Sequence, residues 1–328
     1  QGLGGALMIP GSLAIIVSTV SSERRGRAIG TWSALSVVAT AIGPVLGGIL
    51  ASAGMWRYVF FINLPVAAIA VAVLYLKVPE SRSTDAPGGI DYRGAVLLIA
   101  GLMGVNYGLV ESASSGFSEP RVLVSVIGGA IALLVFVYVE ALSDCPFLPL
   151  RIFKVRTFNA AAILTLSFYS SLYGMLFFFS LNLIQVQGYT AKVAGMTQLP
   201  LMVLVVALSR WAGGLVDRFG PRLPLIIGAA VGGLGFLLFA LPGVTNGPAE
   251  FWGHYLPPLV ALGVAMGMTV APLSSTVMSS VADDKSGLAS GINSALSRLA
   301  SVLGIAVLGS IALFSYGQSL EERTTALD

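Results

Sequence analysis

Apolar runs long enough to cross a bilayer recur along the whole chain, separated by short polar breaks, and that pattern excludes most folds at once. A hydrocarbon core about 30 Å thick is spanned by about 20 helical residues. Inside it every backbone N–H and C=O needs a partner within the protein, which leaves helices or a closed barrel. The alternating signature of barrel strands is absent. Composition agrees: 56% of the residues are hydrophobic and 10% charged, against about 25% charged in soluble domains. The expected fold is an all-α polytopic membrane protein of about ten helices. They are placed near 2–20, 27–52, 57–77, 94–112, 121–142, 158–184, 193–216, 223–242, 255–280 and 287–314.

Charge sets the orientation. Alternating spans put SSERRGR, 79–94, 143–157, DRFGPR and VADDKSG on one side. That side holds twelve basic residues: Arg24, Arg25, Arg27, Lys77, Arg82, Arg93, Arg151, Lys154, Arg156, Arg218, Arg222 and Lys285. The other side holds four, Arg57, Arg121, Lys192 and Arg323, while Arg210 and Arg298 fall within spans. The excess marks the first side as cytoplasmic. A multi-pass protein of the plasma membrane is expected, in bacteria the inner or cytoplasmic membrane. Segment 143–157 reads either as an interfacial amphipathic piece or as a plain basic loop.

Reactive side chains are scarce. Cys145 is the only cysteine, so no intrachain disulfide forms, and His254, beside Trp252 and Tyr255, reads as an interfacial loop residue. There is no HExxH, no GxSxG, no P-loop and no Cys/His cluster. These absences argue against a membrane enzyme. No metal, no cofactor and no nucleic-acid partner is expected.

A shift of 261 residues aligns the hairpin from Val20 with the hairpin from Val281. Gly26, Ala28, Gly30, Ser33, Ala34, Leu35, Ser36, Ala39, Gly43 and Gly48 fall on Gly287, Ala289, Gly291, Ser294, Ala295, Leu296, Ser297, Ala300, Gly304 and Gly309. Parallel repeats of helix bundles are a transporter signature. The copies differ where Pro44 meets Ile305 and Val37 meets Arg298, so they share a scaffold and not a task.

On these residues the chain resembles the major facilitator superfamily, and within it the fourteen-helix drug:proton antiporters of the EmrB/QacA type. Gly30, Gly43, Pro44, Gly47 and Gly48 match the antiporter motif of the fifth helix, with Ala39 in place of a glycine. Trp56, Arg57, Phe60, Asn63 and Pro65 resemble the entry to the sixth helix. Gly213, Leu215, Asp217, Arg218, Gly220 and Arg222 match the superfamily's cytoplasmic loop motif in its second-half copy. Gln185, Gly188, Tyr189, Gly195 and Pro200 resemble the outer hairpin of helices nine and ten. The resemblance implies an internal piece holding helices four to thirteen. Residues 1–78 would end the N-terminal bundle, 79–157 would be a linker with two extra spans, and 158–328 would form the C-terminal bundle.

The motifs carry physical expectations. Gly43 to Gly48 let a neighbouring helix approach closely, and Pro44 removes one internal hydrogen bond. The resemblance implies an outer seal there; the alternative is tight packing alone. Asp217 is expected against the positive N-terminus of the helix starting near Gly26. Arg218 and Arg222 are expected to pair with Asp283 and Asp284, or only to hold their loop inside. Arg298 lies deep in its span and needs a cavity or a partner. It reads equally as a substrate or proton contact and as half of an ion pair. Arg210 is expected to snorkel, and Glu111 and Glu140 to sit at the interface.

The cavity candidates are Met8, Ser12, Trp32, Tyr169, Tyr173, Gln198, Met202, Met266, Met268 and Asn293, each of which can instead pack the core. The expected function is a secondary active transporter that exports amphipathic drugs or toxic compounds in exchange for protons, with the proton gradient as its energy source. Its partners would be that small-molecule substrate and the lipid bilayer; an accessory periplasmic partner stays open. An exporter of an anionic metabolite, with Arg298 as counter-charge, is the alternative within transport. A non-transporting membrane sensor and an integral membrane enzyme are the alternatives outside it.

Overall fold

The computed structural model describes residues 2–55, 57–78, 91–143, 146, 148, 150–243, 245, 247–281 and 285–325. Side chains at 2–7, 9–10, 40–49, 51–52, 59, 113–115, 191–192, 248, 310 and 312–325 lie outside the description. Trp56, Cys145, Asp283, Asp284 and most of segment 79–94 therefore lie outside it, as do the side chains of the Gly43–Gly48 motif.

All regular structure among the described residues is helical. In chain order the helices are α1 (Gly2–Thr19), α2 (Arg25–Ser52), α3 (Tyr58–Phe61), α4 (Asn63–Lys77), α5 (Tyr92–Ser115), α6 (Pro120–Leu142) and α7 (Arg156–Gln185). There follow α8 (Ala191–Met196), α9 (Leu199–Phe219), α10 (Arg222–Phe239), α11 (Phe251–His254), α12 (Leu256–Ser279) and α13 (Ser286–Thr325). Seven of the described segments are long and apolar enough to cross a membrane, and α4 is a shorter apolar helix. The chain is a multi-pass membrane protein.

Local chemistry sets the boundaries. Asp91 caps α5, its Oδ1 accepting from Gly94 N at 2.9 Å. Pro120 opens α6, where its missing N–H has no cost. Gly220 ends α9 at φ +77°, a conformation a side chain would strain.

Some expected spans differ. The span placed at 193–216 stands as Val193–Phe219, but its helix is interrupted between α8 and α9. Pro200 has no N–H to give Met196, and Thr197 Oγ1 donates to Ala194 O at 2.6 Å. The span at 57–77 is likewise split into α3 and α4, since Pro65 cannot donate to Phe61. The last helix runs past 314 to Thr325 because the Gln, Leu, Glu and Arg of its tail are good helix formers.

Helix α12 is the central post: 61% of its span is buried, against 17–28% in the other six. It packs against α9 and α10, while α2 crosses α9, α7 pairs with α13 and α5 pairs with α6. Two apolar cores result. One joins Leu13, Val17, Ile29, Phe136, Phe158, Leu273 and Val277; the other joins Phe179, Leu183, Leu201, Val205, Leu259 and Leu262. Leu148 and Ile152 belong to the first core while Arg151, Phe153, Lys154 and Val155 are exposed, so the described part of segment 143–157 buries an apolar edge and keeps its basic residues outside. Glu140, two residues before the end of α6, is 3% exposed, and its Oε2 accepts from Leu148 N at 3.1 Å. The returning chain covers it.

Candidate functional site

At the basic end of the α2–α9 crossing, backbone contact and a carboxylate clamp coincide. Both helices bring glycine to it. A Cβ at Gly26 would press on the backbone oxygen of Gly213, and a Cβ at Gly30 on that of Ser209. Only bare backbones approach this closely. Asp217 closes the contact. Its Oδ1 accepts from Gly26 N at 2.8 Å and its Oδ2 from Arg27 N at 3.0 Å. These N–H groups open α2 and lack intrahelical acceptors, and the carboxylate also meets the positive end of the helix dipole. Arg25 fastens the preceding turn, its Nη2 donating to Val17 O at 2.7 Å and its Nε to Val20 O at 3.2 Å.

The pairing expected of the rest of the loop motif falls on residues outside the description. Arg222 starts α10, and Arg218 is exposed on a groove with Arg27 and Arg210. Their expected partners, Asp283 and Asp284, lie outside the described residues. The second copy of the repeat is open at two positions, since Gly287 and Gly291 have nothing within 4 Å although their mates Gly26 and Gly30 are packed, and tight at a third, where a Cβ at Gly304 would press on the backbone oxygen of Ser170.

The candidate cavity residues divide. Met8 is 71% exposed. Trp32 Nε1 donates to Ser12 Oγ at 3.1 Å, tying α2 to α1. Gln198 Nε2 donates to Ser180 Oγ at 3.1 Å, tying the start of α9 to α7. Asn293 Oδ1 and Ala161 O share the Thr165 hydroxyl proton, at 3.1 and 2.9 Å. Met202 packs on the second core. Tyr169 and Tyr173 stack with centroids 5.9 Å apart and rings 16° from parallel. The exposed Arg298 lies within electrostatic reach of Tyr173. Among the described residues Arg298 has no carboxylate partner.

A cavity of about 940 Å³ opens between α7 and α13 near Tyr255. It is largely apolar, with Phe178, Phe179, Phe236 and Phe239 in its wall and Ser167, Ser170 and Asn182 as its polar groups. Burial raises the Tyr255 hydroxyl above its ordinary pKa, so this phenol stays neutral; the Thr245 hydrogen bond opposes the shift. None of Met8, Trp32, Tyr173, Gln198, Met202, Asn293 and Arg298 lines this cavity. Sequence reasoning passed over its residues. A serine spacing at 167, 170 and 171 was the available signal, and it is common in membrane helices.

The chain matches the Major Facilitator Superfamily over residues 1–305. Among curated proteins it is 30% identical over 327 residues to the multidrug resistance protein Stp of Mycobacterium tuberculosis, covering 98% of this chain and 59% of that protein. It is 29% identical over 328 residues to the tetracenomycin C resistance and export protein of Streptomyces glaucescens, covering 98% and 59%. It is 33% identical over 319 residues to a cephamycin export protein of Amycolatopsis lactamdurans, covering 94% and 64%. The chain thus spans about three fifths of the length of these relatives. With nearly its whole length matched, the chain belongs to the Major Facilitator Superfamily.

Proposed function

We propose that this chain forms part of a secondary active exporter that moves amphipathic drugs or toxic compounds out across the plasma membrane in exchange for protons. The observation that carries the reading is the α2–α9 crossing. Two helices from distant parts of the chain meet backbone to backbone at the basic end, and one carboxylate clamps them. A seam of bare backbone contacts held by a clamp at its end can part and reclose as a unit, which alternating access requires.

The names of the similar proteins, multidrug resistance, tetracenomycin C export and cephamycin export, support drug-like cargo. The aromatic wall and sparse polar groups of the 940 Å³ cavity suit amphipathic molecules. In this reading 1–78 and 158–328 belong to the two bundles and 79–157 connects them. Gly43, Pro44, Gly47 and Gly48 seal the outer side, and Asp217, Arg218, Gly220 and Arg222 close the inner one. The chain is not an enzyme in this account. Proton coupling rests on the resemblance to drug:proton antiporters.

The exposed Arg298 beside the stacked Tyr169 and Tyr173 favours a second reading, export of an aromatic or acidic anion. An intramembrane arginine faces a watery cavity or a counter-charge, and an anionic cargo would supply one. Everted vesicles carrying the protein from its complete reading frame separate the two. Several unrelated cationic dyes should dissipate an imposed proton gradient. Dissipation by one anion alone, abolished in Arg298→Ala, would replace the first reading with the second. No response to any compound, with the protein inserted, would refute both.

A further inference from the structure

The groove on the outer flank of the α2–α9 crossing gathers three arginines. It is a pocket of about 380 Å³ lined by Arg27 of α2 and Arg210, Trp211, Gly214 and Arg218 of α9. Arg27 lies alongside Gly214, its Nε 3.7 Å from where a Cβ would stand. Arg27, Arg210 and Arg218 are all exposed, and among the described residues none has an ion-pair partner. Asp217, the carboxylate at the crossing, is engaged by the N–H groups of Gly26 and Arg27.

Depth makes this arrangement informative. Arg210 lies eight residues before Arg218, about 12 Å further into the membrane along the helix. From that depth the Arg210 stem extends toward the cytoplasmic end, where an anion would hold its guanidinium beside Arg218. The flank is apolar above the arginines: Val203 is 64% exposed and Trp211 58%. Leu35 on α2 is 64% exposed. A ligand here meets charge at the cytoplasmic end and hydrocarbon beyond it. Free phosphate would satisfy only the first.

We infer that this groove binds an anionic phospholipid of the cytoplasmic leaflet, its headgroup phosphate held by Arg27, Arg210 and Arg218 and its acyl chains lying along Trp211 and Val203. Basic pockets between membrane helices on this side suit such headgroups. Trp211, next to Arg210, stands where the guanidiniums give way to the apolar flank, and its indole meets both. The lipid would touch α2 and α9 together and so brace the crossing. Binding itself is independent of whether the protein transports drugs.

The test uses the protein from its complete reading frame, reconstituted in nanodiscs, with tryptophan fluorescence read against brominated phosphatidylglycerol or brominated phosphatidylcholine. Brominated phosphatidylglycerol should quench at a lower mole fraction than the choline lipid, and the excess should vanish in Trp211→Phe. Arg218→Gln should raise the half-quenching mole fraction of phosphatidylglycerol about fivefold and leave the choline lipid unchanged. Equal quenching by the two lipids overturns the proposal. So does an excess that persists in Trp211→Phe, or one that millimolar inorganic phosphate removes, which would mark a free-anion site. The wild-type and Trp211→Phe comparison decides the matter even if the arginine variant fails to reconstitute.

Discussion

Replacing Asp217 by Asn should loosen the α2–α9 seam by an amount the geometry bounds. Asn keeps one acceptor oxygen, which can stay on Gly26 N, at 2.8 Å in the wild type. That bond falls from charge-assisted to neutral, a loss of about 1 kcal/mol. The amide nitrogen cannot accept from Arg27 N, but that bond is exposed and water replaces it cheaply. The lost charge at the N-terminus of α2 adds about 0.3–1 kcal/mol. The total is about 1.5–2 kcal/mol, which shifts a two-state equilibrium about 12- to 30-fold toward the open seam. Spin labels at Ser22→Cys and Phe219→Cys, both exposed sites, report the seam by pulsed dipolar spectroscopy in a Cys145→Ser background. The longer-distance population should rise by that factor. A distance distribution unchanged in Asp217→Asn would refute the carboxylate as the clamp.

Other consequences can be read from stability in detergent. Gly26→Val should destabilise by about 1–3 kcal/mol, since its side chain must push back the Gly213 backbone, while Gly233→Val on α10, with open space around it, should be close to neutral in the same thermal melt. Glu140→Ala leaves the Leu148 N–H without its acceptor and should cost about 1–3 kcal/mol, whereas Glu140→Gln should retain most of that stability in urea titration. Trp32→Phe and Ser12→Ala each remove the α1–α2 hydrogen bond at 3.1 Å; a double-mutant cycle should find their costs of about 0.5–1.5 kcal/mol non-additive.

The helical class and most spans are legible because hydrophobic length is a local property. α5, α6 and α7 fall within about two residues of where the apolar runs place them. The breaks before α9 and α4 were written in Pro200 and Pro65, whose missing N–H groups matter only at a given helical register. Partners across the chain are harder to read. Glu140 looks interfacial by position and is buried because Leu148 returns over it. The groove of Arg27, Arg210 and Arg218 is dispersed in sequence and assembled by a helix crossing. Repeat symmetry pairs Gly26 with Gly287, yet only the first is packed among the described residues, because Gly213 faces it. Local resemblance carries no information on what stands opposite a glycine.

Uptake of a labelled cationic amphipath into everted vesicles tests the transport account most directly. The protein from its complete reading frame should accumulate the compound when the interior is acid and release it when a protonophore collapses the gradient, and Gly30→Leu, which forces apart the α2–α9 seam, should abolish accumulation. Accumulation that ignores the gradient would contradict proton exchange, and full transport in Gly30→Leu would contradict the seam as the moving part.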